Sequence, residues 1–213
     1  MVRTILLAFL WLPLSPAFAY QAAPAPVHQR DTIDRVLGMV GPAEPTQLTE
    51  KKRFELYLVS TVGPVPLLGE ALGAGISHWQ NTPEEWGQGW GAYGKRYGSA
   101  VAYNGVRQTI TYAASIAFHE DNRYFASHKS GFWPRTRYAL LSTVTSRSPD
   151  GRRTFSVSSV SGVVGAAAIS SVWGPPSWRN VGSISGNAGI SFGVTAGFNI
   201  VREFLPDILH RTP

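Results

Sequence analysis

Two long uncharged stretches near the C-terminus, 154–173 and 181–201, constrain most strongly what this chain can fold into. Small residues recur at every fourth position in both stretches, at Ser158, Gly162, Ala166 and Ser170, and then at Gly189, Gly193 and Gly197. In a helix, this spacing leaves one bare stripe along which a second helix can approach closely. The pattern predicts helices that pack with little space between their backbones.

The second stretch also permits a strand, because apolar or glycine residues occupy every even position from Ile184 to Ile200. This alternation is typical of an outer-membrane barrel strand, but such a barrel needs about eight or more similar segments. The helix signals elsewhere in the chain decide between the two readings. We therefore predict an all-α fold, a single domain of closely packed Gly-, Ala- and Ser-rich helices, with a small outer-membrane-type β-barrel as the alternative.

Local helix signals are clear in the middle of the chain. A first helix should begin near Thr49, and Pro64 with Pro66 should interrupt it because proline lacks an amide donor. Thr82 followed by Pro83 and two glutamates is typical of a helix N-terminus, so we predict a long helix from Pro83 to about His119. A kink is expected near Asn104.

Glycines also recur within that long helix, beside a row of tryptophans and tyrosines. Each glycine costs roughly 0.5–1 kcal/mol relative to alanine inside a helix, so close packing should offset the cost. Together with the C-terminal stretch, these residues form a predicted glycine zipper. Its members are Gly87, Gly91, Gly94, Gly98, Gly189, Gly193 and Gly197.

The N-terminus has the composition of an export signal. Arg3 precedes an apolar run that is too short to span a bilayer, and Ala17-Phe18-Ala19 is typical of a signal cleavage site. We predict a signal peptide over 1–19, a flexible Ala- and Pro-rich segment over 20–45, and the helical domain over 46–213. The expected location is the periplasm or the outer membrane, in association with a membrane.

Composition narrows the classes of function. The absence of cysteine excludes disulfides, thiolate metal sites and cysteine nucleophiles. Lysine and arginine number 19 against 13 acidic residues, a net charge of +6 that becomes +5 once Arg3 is removed. Spread positive charge in an exported chain favours membrane lipid or an envelope polyanion as partner, with a homo-oligomer as a further expectation. No nucleic-acid motif accompanies the charge, and no cofactor signature assigns a cofactor.

Several residues are candidates for chemistry. His119 ends an apolar helix beside carboxylates and could act as a base, and Glu203 and Asp207, four residues apart, would share one helix face. The ordinary interpretations are a histidine at a helix C-terminus and carboxylates paired with arginines. The candidate catalytic residues are His119, Glu203 and Asp207, the candidate ligand-binding residues are Arg123, Tyr124, Arg135 and Arg137, and no metal site is predicted.

Several stretches resemble an uncharacterised family of exported, Gly-rich bacterial proteins. The matching segments include Asp-x-Arg-Tyr-Phe at 121–125, Glu-Phe-x-Pro-Asp at 203–207, and the sequences at 73–98, 131–140 and 151–162. This chain has Asn122 where family members usually have proline, and Leu205 where they often have tryptophan. The resemblance implies a helical fold and export, and it implies no established activity.

Two functions follow as expectations. The first is an exported, envelope-associated protein of structural or interaction type, embedded in or attached to a membrane through its small-xxx-small helices. The alternative is an envelope enzyme that acts on a lipid or phosphate-bearing substrate with His119, Arg123, Glu203 and Asp207.

Overall fold

The computed structural model describes residues 41–43 and 46–209, and helices account for most of them. This confirms the predicted all-α fold. The predicted signal peptide and nearly all of the predicted flexible segment lie outside the described residues. The described helices and strands are α1 (Glu50–Val62), α2 (Pro64–Trp79), α3 (Trp90–Ala117), α4 (Phe132–Leu141), β1 (Thr145–Arg147), β2 (Arg153–Phe155), α5 (Val157–Ser170) and α6 (Val181–Leu209), with short 3-10 turns at Glu84–Trp86 and Pro176–Trp178.

The first two helices begin and end where their local sequence predicts. The Thr49 hydroxyl accepts a hydrogen bond from the Lys52 amide at 3.2 Å and caps α1. The chain then leaves helical geometry at Gly63, and α2 resumes with Pro64 at its first position. Proline fits there because the first amide of a helix has no intrahelical partner.

The long central helix begins later than its sequence predicts, at Trp90 instead of Pro83. Gly87 and Gly89 have φ values of 66° and 95°, so the chain makes a loop between the short turn and the helix. Arg96, which is only 3% exposed, stabilises this loop by donating to the carbonyls of Pro83 and Gly87 at 2.9 Å. A buried arginine thus supplies the donors that these carbonyls need.

The segment 184–200, which suits either a helix or a strand, is helical and lies inside α6. The strand interpretation of this segment is therefore wrong. The antiparallel pair is instead a short hairpin of β1 and β2, in which Ser146 faces Thr154 and Arg147 faces Arg153.

The helix α3 is continuous through Asn104, whose side chain donates to the Ser60 carbonyl of α1 at 3.0 Å. It packs against α1, α2 and α5, while α6 packs against α4 and α5. The buried hydrophobic core is built mainly from small side chains. It consists of Val163, Ala167 and Ala188, with Tyr103, Ile184 and Phe192 packed against it.

The backbones of α3 and α5 approach each other closely. A methyl carbon placed on Gly162 would lie 2.0 Å from the Thr111 hydroxyl oxygen and 3.0 Å from the Arg107 carbonyl oxygen. The other members of the first small-residue series, Ser158, Ala166 and Ser170, are also buried. This series therefore forms the helix–helix contact that its spacing predicts.

The predicted glycine zipper does not form such a contact within the described chain. A methyl carbon placed on any of its members would meet no other atom within 4 Å. The reason lies in the tertiary structure, because no helix of the described chain packs against these glycines. These residues are Gly87, Gly91, Gly94, Gly98, Gly189, Gly193 and Gly197.

Replacing Gly162 with alanine should lower the free energy of unfolding by about 1–3 kcal/mol, because the added methyl collides with α3. Gly193→Ala is the matched control, since its methyl enters open space and alanine favours a helix by up to about 1 kcal/mol. Urea unfolding followed by circular dichroism measures both. Equal destabilisation by the two substitutions would contradict the assigned contact.

Candidate functional site

The segment that follows α3 positions most of the predicted site residues. After α3 ends, the chain reverses at His119, which has a φ of 54°, and Asp121 then pairs with Arg147 of β1 through two backbone hydrogen bonds of 2.8 and 3.0 Å. This pairing holds Tyr124 and Phe125, both buried, beside the hairpin, and the Tyr124 hydroxyl also contacts Glu203 of α6. The sequence motif at 121–125 is therefore a structural junction.

A buried carboxylate lies on one side of this junction. Glu203 of α6 is 1% exposed and accepts a hydrogen bond from the Tyr124 hydroxyl at 2.6 Å and from the Ser127 amide at 3.0 Å. The Ser127 hydroxyl also donates to it. Arg135 of α4 donates to the same carboxylate through Nε at 3.1 Å and forms a second ion pair with Asp207.

These contacts decide the protonation state of the carboxyl. Burial by itself raises the pKa of Glu203, but the hydrogen bonds from Ser127 and Tyr124 outweigh it and hold this pKa below its usual range. Burial and the same carboxylate raise the pKa of the Tyr124 hydroxyl. Glu203 is therefore an ionised carboxylate whose acceptor positions are occupied, an arrangement that serves to join α6, α4 and the junction.

The structure thus brings together four of the predicted residues, Tyr124, Arg135, Glu203 and Asp207. The other three lie elsewhere. Arg123 pairs with Asp121 at 2.8 Å, while His119 and Arg137 are exposed and form no side-chain hydrogen bond with the described residues. His119 does not join the two carboxylates, so the geometry needed for the predicted base is missing from this cluster.

A small basic cavity lies on the other side of Tyr124. Its volume is about 20 Å³, which is enough for one water-sized group. The cavity is lined by Arg123, Tyr124, Phe125, Tyr138, Ser142, Thr145, Ser146, Arg147 and Arg153. Two of the predicted ligand-binding residues, Arg123 and Tyr124, therefore belong to it, together with two arginines that the sequence reasoning missed.

Those two arginines, Arg147 and Arg153, are opposite each other in the hairpin. Their signal in the sequence was weak, because the stretch at 147–153 reads as an ordinary surface turn. Glu120 was also missed as a structural residue. It is buried and accepts the amides of Val157 and Ser158 at 2.9 and 3.0 Å, which caps α5 from a position far away in sequence.

A half-buried carboxyl group, that of Glu70, lies between α2 and α3. One carboxyl oxygen of Glu70 is buried without a hydrogen-bond partner among the described residues. Burial raises the pKa of Glu70 to about 7, and the positive charge of Arg107 opposes the rise only in part. Within the described residues, no group of three or more His, Asp or Glu side chains is placed to hold a metal ion.

No protein-family model matches this chain, and neither a curated protein nor a solved structure matches it.

Removing the Glu203 carboxylate should be strongly destabilising, because Arg135 and Tyr124 would lose a buried partner. We expect Glu203→Ala to lower the free energy of unfolding by about 3–5 kcal/mol, and Asp207→Asn, at a half-exposed position, by about 1 kcal/mol or less. Denaturant unfolding measures both, with Glu203→Gln as the milder variant if the alanine variant does not fold. A loss for Asp207→Asn as large as that for Glu203→Gln would contradict this assignment.

Glu70 should make stability depend on pH. Because its folded pKa is raised, the folded state holds a proton that the unfolded state releases between about pH 4.5 and 7, so stability falls as the pH rises through this window. Since the carboxyl keeps some contact with water, we expect a contribution of about 1–2 kcal/mol. Glu70→Gln should remove this contribution, as measured by unfolding at pH 5 and pH 8.

The exposed Glu55 of α1 provides the control for this test, and Glu55→Gln should leave the pH dependence as it is in the parent protein. An unchanged pH dependence in Glu70→Gln would show that Glu70 does not titrate in this window.

Proposed function

We propose that this chain is an envelope-associated protein of structural or interaction type that attaches to a membrane surface through α2. The single observation that supports the proposal is the unpartnered apolar face of this helix. Leu68, Leu72, Ile76 and Trp79 follow helical spacing and are between 56% and 84% exposed. An exposed apolar stripe of this kind is typical of a membrane- or protein-binding surface.

A lipid partner is favoured by the residues at the end of the stripe. Trp79 closes α2, and Trp90, which is 90% exposed, opens α3. The two helices meet at this end, since the rings of His78 and Tyr93 lie 6.0 Å apart. Tryptophan is enriched where membranes meet water, and the positive net charge of the chain adds attraction to anionic lipid.

We propose that α1 and α2 lie along the membrane surface and do not cross it. In the described part of the chain, the stretch Glu50–Trp79 is the one stretch that by length and composition alone could span a bilayer. Its inner side, however, carries polar anchors. Arg53 of α1 donates to the Ser115 hydroxyl of α3 at 2.9 Å, and the Tyr93 hydroxyl of α3 donates to the Ala71 carbonyl of α2 at 3.2 Å. These contacts tie one side of the helix pair to α3 and leave the apolar side for lipid.

The predicted signal peptide and the family resemblance support an envelope location for this activity. The enzyme alternative has less support, because His119 and Arg123 lie apart from the carboxylates with which they were expected to act. The Glu203 cluster is occupied by its own hydrogen bonds, which favours an architectural role.

The test is sedimentation of the purified mature protein with vesicles that contain anionic phospholipid. The double variant Leu72→Ser and Ile76→Ser should weaken partitioning by roughly tenfold or more, because two large apolar side chains no longer enter the lipid. Circular dichroism confirms that the variant is folded, as expected for substitutions at exposed positions.

The double variant Ile190→Ser and Val194→Ser is the matched control, since both residues are exposed on α6 and also lie beside glycines. It should bind vesicles like the parent protein. If vesicle binding falls more in this control than in the α2 variant, the attachment site lies on α6 and not on α2. If the parent protein does not bind vesicles, the proposal is rejected.

A further inference from the structure

The basic cavity beside Tyr124 carries a second inference, which does not depend on membrane attachment. Its lining holds three guanidinium groups, but within the described residues only one of them has a carboxylate partner. Arg123 pairs with Asp121, whereas Arg147 and Arg153 form no ion pair there. The local charge is therefore positive and uncompensated on the side of the hairpin.

The placement of these two arginines is unfavourable by itself. Arg147 and Arg153 are directly opposite in the antiparallel pair, and like charges at such positions repel each other. Each guanidinium is held over an aromatic ring instead of being directed at an acid. Arg147 lies 4.0 Å from the ring centre of Phe125, and Arg153 lies 4.2 Å from that of Tyr138. An anion bound between them would remove the repulsion.

The guanidinium groups of Arg147 and Arg153 also have N–H donors that no described residue accepts. Arg147 makes no side-chain hydrogen bond among the described residues, and Arg153 uses one nitrogen to donate to Ser142 and Thr145 at 3.2 and 2.7 Å. Within the described residues, most N–H donors of the two guanidinium groups therefore have no acceptor.

We propose that this cavity binds a phosphate group, with Arg147 and Arg153 as its principal ligands. Guanidinium groups pair with phosphate through parallel hydrogen bonds, and a tetrahedral anion offers more oxygens, pointing in more directions, than a planar carboxylate. The cavity holds one water-sized group, so one phosphate oxygen enters it while the rest of the anion lies at its mouth. The phosphate can belong to a lipid headgroup or to a free phosphate ester.

The nearby negative charges do not block this site. Asp121 is engaged by Arg123, and Glu203 lies behind Tyr124, where it accepts from the Tyr124 hydroxyl and pairs with Arg135. Asp150 lies in the hairpin turn and pairs with Arg152. Each of these three carboxylates therefore has its own cation, and Arg147 and Arg153 are left for an external anion.

The test is isothermal titration calorimetry, in which inorganic phosphate is added to the full mature protein at low ionic strength. Arg153→Gln and Arg147→Gln should each weaken binding about tenfold, as expected for the loss of one charge-assisted ligand. Arg152→Gln is the matched control, because it removes the same charge from the neighbouring residue, whose side chain is 84% exposed and lies outside the lining. This control should bind phosphate like the parent protein.

Three results would overturn the proposal. One is an absence of phosphate binding at millimolar concentrations, a second is an equal loss in Arg152→Gln and Arg153→Gln, and a third is equally tight binding of acetate. Arg153 is exposed, so its variant should fold, and circular dichroism verifies this. The α2 variant Leu72→Ser with Ile76→Ser should still bind phosphate, which separates failure of this site from failure of membrane attachment.

Vesicles identify the source of the phosphate once binding is shown. Protein bound to vesicles of phosphatidic acid and phosphatidylcholine is challenged with soluble phosphate, and vesicles of phosphatidylcholine alone serve as reference. If soluble phosphate releases the parent protein from the vesicles but has no such effect on Arg153→Gln, the site binds a lipid headgroup. Retention of the protein on the vesicles, together with phosphate binding in solution, assigns it to a free phosphate ester.

Discussion

The antiparallel contact of α3 with α5 is the most extensive helix–helix contact in the described chain. At its centre Gly162 lets the two backbones approach closely, because any side chain there would collide with Arg107 and Thr111. Polar contacts hold both ends. Glu120 caps α5 at one end, and at the other the Trp173 indole donates to the Ser99 hydroxyl at 3.0 Å. Since the core consists largely of alanine and valine, these directional contacts set the register that bulkier side chains would otherwise set.

This contact also determines where the charged residues around the 121–125 junction lie. The end of α3 leads directly into the junction at 121–125, so Tyr124 separates a fully paired carboxylate from an incompletely paired group of arginines. The first arrangement joins helices, and the second is open to an external anion. The open group of arginines and the exposed stripe of α2 are the two surfaces on which the proposed attachment and anion binding rest. The two proposals use different surfaces and can be tested separately.

Much of the fold could be predicted from local chemistry. Thr49 marks the start of α1, and Pro64 marks the break between α1 and α2, because capping and proline geometry act over a few residues. The start of α3 could not be predicted, since it depends on Arg96 reaching back to carbonyls of the preceding loop. Of the candidate residues, Glu203 and Asp207 share Arg135 as four-residue spacing allows, but nothing local shows that His119 is turned away from them.

Local residue patterns are enough to predict the helical class, the helix ends with local caps, and the small residues that permit close packing. Which of those small residues contact another helix depends on the tertiary arrangement. Gly162 meets a neighbouring helix, whereas Gly189, Gly193 and Gly197 face open space with the same period. Periodicity places residues on one side of a helix, but a contact also requires a second surface of matching shape. Likewise, the position of Arg147 opposite Arg153 depends on the register of the hairpin, and residue spacing alone does not predict that register.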